Sequence, residues 1–95
     1  MNEKYIERTF VKKVKKENGM ALKFVSPGMS GVPDRIVLMP KGKIAFAELK
    51  APGKKMRPVQ ISMKRKLESL GFQVYLVDSL DKIDEVISEV MKDEI

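Results

Sequence analysis

Cysteine and histidine are both absent from this chain of 95 residues. Without Cys there is no disulfide framework, thiolate zinc site, iron–sulfur cluster or cysteine nucleophile. Without His the commonest general base, the Ser-His-Asp arrangement and imidazole metal ligation are excluded too. Any catalysis must therefore run on carboxylates, lysines, hydroxyls and hard cations. Long apolar runs are also lacking, and none approaches the roughly 20 residues that span a bilayer. The opening residues Met1 to Arg8 are charged from the start and contain no apolar h-region, so no signal peptide is expected. Repeats, low-complexity tracts and internal linkers are missing as well, which leaves one domain as the expectation over residues 1–95.

What the chain does have is charge, 34% of its residues against 43% hydrophobic, a globular balance that argues against disorder. The net +6 is unevenly placed. Residues 1–70 carry 17 Lys and Arg against six Asp and Glu, whereas residues 71–95 carry two against seven. A region at +11 beside one at −5 is the pattern expected of a chain that meets a polyanion. A basic surface serving only solubility is the plainer alternative.

Helical periodicity runs from about Glu3 to Asn18, with Gly19 as the expected C′ residue. Ala21 to Val25 alternates like a strand, and Ser26 to Pro33 is a loop with two Gly and two Pro. Arg35–Met39 and Lys43–Leu49 read as strands joined by Pro40-Lys41-Gly42, a link short enough for an antiparallel hairpin. After a second loop from Ala51 to Arg57, Pro58 suits the first position of a helix running to Leu70. Phe72 to Val77 forms the last strand, and Ser79 caps a final helix to about Asp93. The order αβββαβα predicts an α/β fold with a mixed sheet of about four strands and helices packed on it.

On the last helix Leu80, Ile83, Val86, Ile87, Val90 and Met91 share one arc opposite Asp81, Asp84, Glu85 and Glu89, which marks a packing helix with an acidic outer face. On the first, Ile6, Phe10, Val11 and Val14 share a face, and Lys4, Arg8, Lys12, Lys15 and Lys16 oppose them. Glu7 falls inside the apolar arc. A carboxylate there is costly unless paired or bound to metal, the alternatives to metal being a salt bridge to a sheet Lys or a rim position.

Strand period two places Ile44, Phe46, Glu48 and Lys50 on one face, with Ala45, Ala47 and Leu49 on the other. If the hairpin closes across Pro40-Lys41-Gly42, Asp34 lies near Glu48. Two carboxylates and one Lys would converge at a sheet end, with Glu7 within reach from a helix packed on that face. Oxygen-only clusters of this kind suit Mg²⁺ or Mn²⁺. Taken alone, Glu48-Leu49-Lys50 is an ordinary edge-strand pair.

Gly31-Val32-Pro33-Asp34, a hairpin, then Glu48-Leu49-Lys50 on the next strand resembles the PD-(D/E)xK nuclease core. The run from Gly31 to Gln60, the helix ending Leu67-Glu68-Ser69-Leu70-Gly71 and the strand Phe72–Asp78 resemble the virus-type replication-repair nuclease (VRR-NUC) family. The resemblance implies a restriction-endonuclease-like domain that cuts DNA phosphodiesters with Mg²⁺, Mn²⁺ substituting. It matches Asp34 and Glu48 to the metal-binding acids, Lys50 to the catalytic lysine, Glu7 to a helix-one glutamate and Gln60 to a glutamine opening the second helix. The Leu49 carbonyl is a further expected metal ligand, and Glu7 is expected to hold a metal-bound water or a second ion. Gln60, at the edge of a stripe formed by Val59, Met63 and Leu67, would steady Lys50 or a water, or is an ordinary boundary residue.

The expected DNA contacts are Lys54, Lys55, Arg57 and Lys64 beside the site, with the Lys4/Arg8/Lys12/Lys15 stripe as a second candidate that faces away from Glu7. Stand-alone members resemble homodimeric Holliday-junction resolvases. The chain leaves no room for an accessory DNA-binding domain, so a four-way-junction resolvase acting in the cytoplasm of a bacterial or phage-infected cell is the leading expectation. A flap- or nick-directed nuclease and a catalytically silent DNA-binding module are the alternatives. Ile61, Met29 and Met56 are the apolar groups left for a dimer partner to cover.

Overall fold

Asn2 starts the first helix, its side chain accepting the Tyr5 amide at 2.9 Å. The computed structural model describes residues 1–93. Its elements are α1 (Glu3–Lys16), β1 (Met20–Lys23), β2 (Arg35–Met39), β3 (Lys43–Leu49), α2 (Pro58–Ser69), β4 (Val74–Val77) and α3 (Leu80–Met91). A short 3₁₀ turn, Pro40–Gly42, joins β2 to β3. Ile6, Phe10 and Val14, spaced by four, form the buried line of α1. The helix ends two residues before the expected Asn18, and it is Asn18 that takes the left-handed turn, at φ 65°. Gly19 is required for another reason. A Cβ there would press on the Met39 sulfur and lie 2.7 Å from the Leu38 carbonyl oxygen, so only glycine lets the chain pass this close to β2.

The sheet order is β1-β2-β3-β4. The first two pairings are antiparallel, and β3 pairs with β4 in parallel through the α2 crossover. The expected hairpin therefore forms, with Arg35 opposite Ala47 and Met39 opposite Lys43. Strand β1 ends at Lys23 rather than Val25, whose side chain is exposed, and β4 begins at Val74 rather than Phe72. Ser79 caps α3 as anticipated, accepting the Lys82 amide at 3.1 Å.

The two faces of the sheet are covered differently. Ala21, Val37, Ala45, Ala47, Leu49 and Val77 point to one face and pack with Ile6, Phe10 and Val14 of α1 and Ile83, Val86 and Ile87 of α3. The opposite face carries Phe46, its ring 5.6 Å from Phe24 and 5.7 Å from Phe72. On this face α2 lies against β4 and contributes buried Met63 and Gln60. The buried stripe of α2 is thus Gln60, Met63 and, in part, Leu67, while Val59 is exposed. The helix is rotated by about one residue from the Val59/Met63/Leu67 stripe expected of it. Its partner face is the Glu48 face, so the α2 N-terminus and the Gly31 loop arrive at the same sheet end.

Candidate active site

The hairpin register that sets Arg35 opposite Ala47 sets the preceding residue, Asp34, opposite Glu48. Both side chains point to the α2 face. Asp34 is held from below, where one carboxylate oxygen accepts the Leu49 amide at 2.8 Å. The N–H and C=O of an extended residue face the same edge, so the Leu49 carbonyl also leans toward Asp34. Gly31 fixes the approach of the loop. It adopts φ 81°, and a Cβ would meet the Val59 main-chain carbonyl, whose carbon lies 2.8 Å from that position. The loop before Asp34 is thereby seated directly on the first turn of α2.

Glu48 is 1% exposed, and neither carboxylate oxygen has a hydrogen-bond donor among the described residues. Its pKa is pushed up from 4.5 to about 8. Burial is the main cause, followed by the Asp34 carboxylate, which accepts from the protonated form and repels the ionised one, while Lys50 acts in the opposite direction. The Lys50 ammonium stands 4.0 Å from Glu48, too far for a hydrogen bond but close enough to compensate charge. A buried carboxylate with two empty acceptor oxygens, a second carboxylate opposite and a main-chain carbonyl nearby is a donor set of oxygens only. It fits a hard divalent cation, which would satisfy both orphaned oxygens and neutralise the paired charge.

Two expected members of the site are placed differently. Glu7 does not reach this cluster: it sits on the opposite side of the sheet, because α1 packs on the Ala47/Leu49 face. There Glu7 accepts a hydrogen bond from Arg35 Nε at 2.9 Å, and Arg35 also donates to the Ala21 carbonyl. The carboxylate in the apolar arc is paired on the sheet, but its partner is Arg35 and not the lysine expected. Among the described residues no three acidic side chains gather, so the acidic set at this sheet end is the Asp34/Glu48 pair. Gln60 is buried beside the cluster, yet its carboxamide oxygen accepts the Arg57 amide at 2.8 Å and closes the first turn of α2. Its NH₂ group takes no part in that bond.

Around the cluster, Lys54, Lys55 and Lys64 line one shallow concavity with Ile61 and Leu76, and Leu76 is the β4 neighbour of Glu48. Arg57 is exposed at the cap of α2. Lys64 also pairs with Glu68 at 3.2 Å. Arg8 and Lys12 lie on the other face of the sheet and line a groove that contains Glu7, so the stripe does not face away from that residue. Arg35 was not anticipated. The signal available was parity, since it shares the core face with Val37 and Met39 and a cation there requires a carboxylate.

No family model matches the chain. A curated relative is 51% identical over 81 residues, 85% of this chain and 87% of its own length. It is named "Putative nuclease p44", from Acyrthosiphon pisum secondary endosymbiont phage 1. A solved structure of a VRR_NUC domain superposes at a TM-score of 0.84 with 28% identity, covering 90% of this chain and 94% of that one. The chain belongs to the VRR-NUC family. The VRR-NUC fold is thus present in its full element order, from the helix that carries Glu7 to the strand that precedes Asp78. Among the described residues no helix is long and apolar enough to cross a membrane.

Proposed function

We propose that this VRR-NUC chain is a Mg²⁺-dependent, structure-selective DNA endonuclease that works as a homodimer on four-way junctions. The observation that carries the reading is Glu48: a buried carboxylate facing a second carboxylate, with both its oxygens unpaired, has no structural purpose that an apolar residue would not serve better. Beside phosphate such a pair makes sense only with a cation between. Asp34, Glu48 and the Leu49 carbonyl would hold Mg²⁺, which when bound would supply charge stabilisation at the scissile phosphate and acidify water.

The chain's own groups do the rest. Lys50 orients the attacking water and offsets charge on the phosphate, and the Gln60 NH₂ steadies Lys50 or that water. Lys54, Lys55, Arg57 and Lys64 grip the backbone beside the site without reading bases, which leaves selection to DNA shape. The curated relative's name supports nuclease chemistry. Preference for a junction rests on one Asp34/Glu48 cluster per copy set against two equivalent scissile strands in the substrate.

The test is incubation with labelled junction, flap, nicked and linear DNA, with Mg²⁺, Mn²⁺, Ca²⁺ or EDTA. Paired cuts in the junction with Mg²⁺ or Mn²⁺, little chemistry with Ca²⁺ and none in EDTA are expected. Lys50→Ala should lower the cutting rate at least ~100-fold while DNA is still bound. Cutting by that variant at the wild-type rate would remove Lys50 from the mechanism. Preferred single cuts in flaps would make the chain a flap nuclease, and inert binding to every DNA would make it a binding module.

A further inference from the structure

We infer that the groove between α1 and the β1–β2 edge is a second phosphate track, which takes the backbone of a second duplex arm while the first lies at the Asp34/Glu48 cluster. The inference rests on the DNA-endonuclease reading and deepens it by assigning the feature that makes the chain select branched DNA. The groove, about 320 Å³ in volume, is lined by Lys4, Arg8, Lys12, Lys23, Arg35 and Glu7, with Val11 between them.

Five cations face one carboxylate here, and the carboxylate is already used. Glu7 pairs with Arg35, whose remaining hydrogen bond goes to Ala21. Lys4, Arg8, Lys12 and Lys23 form no ion pair or hydrogen bond through their side chains among the described residues. Some cations elsewhere are compensated, Lys13 by Asp84, Lys41 and Lys43 by Asp93 and Lys82 by Glu85. Others, such as Lys15, Lys16, Lys66 and Lys92, have no ion pair among the described residues. What sets the groove apart is that four unpaired cations line one concavity. Lys4, Arg8 and Lys12 follow one another by four residues on α1, so their stems stand in a line at a rise of about 6 Å per step. Lys23 joins them across the groove, on the same sheet face as its β2 neighbour Arg35. A row of uncompensated charges on rigid elements repels itself, and a polyanion carrying one charge per ~1.7 Å of duplex relieves it.

The position of the groove selects the kind of DNA. Asp34, immediately before β2, meets Glu48 on one face of the sheet, and Arg35, the first residue of β2, meets Glu7 of α1 on the other. The cluster lies on the α2 face and the groove on the α1 face of the same sheet end. One straight duplex cannot follow both faces. Two arms that diverge at a branch can, with the branch point at the sheet end where Asp34 and Glu48 stand. The Glu7–Arg35 pair then serves the groove, anchoring α1 to β2 so that the two rows of cations keep their spacing.

The experiment measures binding of the full chain, in Ca²⁺ without Mg²⁺, to a labelled four-way junction and to linear duplex of equal length over a range of salt. The Lys4→Ala/Arg8→Ala/Lys12→Ala/Lys23→Ala variant is compared with Lys16→Ala/Arg65→Ala/Lys66→Ala/Lys92→Ala, which loses the same net charge elsewhere. For the groove variant the junction affinity should fall at least ~10-fold, and its log–log salt slope should drop by about 3 to 4, near 0.9 per lost phosphate contact. The linear slope should change by less than about one contact. The control should keep the junction-to-linear ratio of the wild type. Equal losses in the two variants, or an unchanged junction slope, would overturn the groove. Circular dichroism checks folding, and the single reversal Arg8→Glu gives the same reading if the fourfold variant fails to fold. These binding curves need no cutting, so a chain that binds as expected but never cleaves would sink the nuclease proposal and leave the groove standing.

Discussion

A buried carboxylate without a donor is paid for by protonation, and this gives Glu48 a measurable signature. Its pKa of about 8 in the fold, against 4.5 ordinarily, means the folded protein holds a proton that the unfolded chain releases between those values. Below pH ~4.5 both states are protonated and Glu48 contributes no pH dependence. As pH rises from there to about 8, stability falls, by at most about 1.4 kcal/mol per pH unit from this group, and then levels. Urea midpoints of metal-free protein at pH 5, 7 and 9 should show that decline, and Glu48→Gln should flatten it. Saturating Mg²⁺ should raise the midpoint more at pH 9 than at pH 5, because the cation competes with the proton. Equal pH profiles for wild type and Glu48→Gln would show that Glu48 ionises freely. The Asp34, Glu48 and Lys50 placement was legible in the sequence because strand parity and a short hairpin determine it. Glu7 was not. A helical wheel shows which residues share an arc, but it does not show which face of the sheet the helix covers.

At the scale of elements, the two hairpin strands match the periodicity residue for residue, Arg35–Met39 and Lys43–Leu49, since both are bounded by strong turn residues. The helix ends and the phase of α2 were less legible. Asn18 supplies the positive φ that Gly19 was expected to supply, and close packing on β2 claims the glycine instead. In α2 a glutamine occupies the buried stripe because its carboxamide closes the first turn, a use that hydrophobic patterning does not register. The contact between the Gly31 loop and Val59 couples this turn to Asp34. Gly31→Ala would have to hold φ near 81° and displace the Val59 main chain. A loss of about 2 to 3 kcal/mol is expected, together with reduced cleavage, since Asp34 follows three residues later. Gly28→Ala, where a Cβ meets nothing within 4 Å and no positive φ is required, is the matched control. Equal midpoints for the two variants would show that the loop yields without moving α2.

For the whole molecule, the sequence asymmetry between a basic body and an acidic end resolves into paired and unpaired charge. The acidic α3 compensates its neighbours through Asp84–Lys13 at 2.8 Å, and Asp93 beyond it meets Lys43 and Lys41, which hold its carboxyl below the ordinary range. Among the described residues, Lys4, Arg8, Lys12 and Lys23 of the groove and Lys54, Lys55 and Arg57 beside the cluster are among the cations without an ion pair. Two chains at +6 each would repel if they met through them. A homodimer must therefore close through an uncharged surface. Ile61 and Met29 are exposed as expected, but they are separate groups beside basic loops. A more suitable surface is the part of the Phe46 face that α2 leaves open, where Met20, Leu38 and Ile44 stand in one row and Leu22 and Ile36 in the next. Met20, Leu22 and Ile44 are 55%, 40% and 42% exposed, a contiguous apolar patch without a charge inside it. A second copy would meet the least repulsion on this patch. Sedimentation at micromolar concentration should give twice the 10.8 kDa chain mass. Leu22→Lys with Ile44→Lys should shift the mass to the monomer, and junction products should shift from paired cuts to single nicks. A wild-type monomer that still makes paired cuts would refute the dimer. A dimer indifferent to those lysines would place the interface on another surface, with Ile61 and Met29 the next positions to substitute.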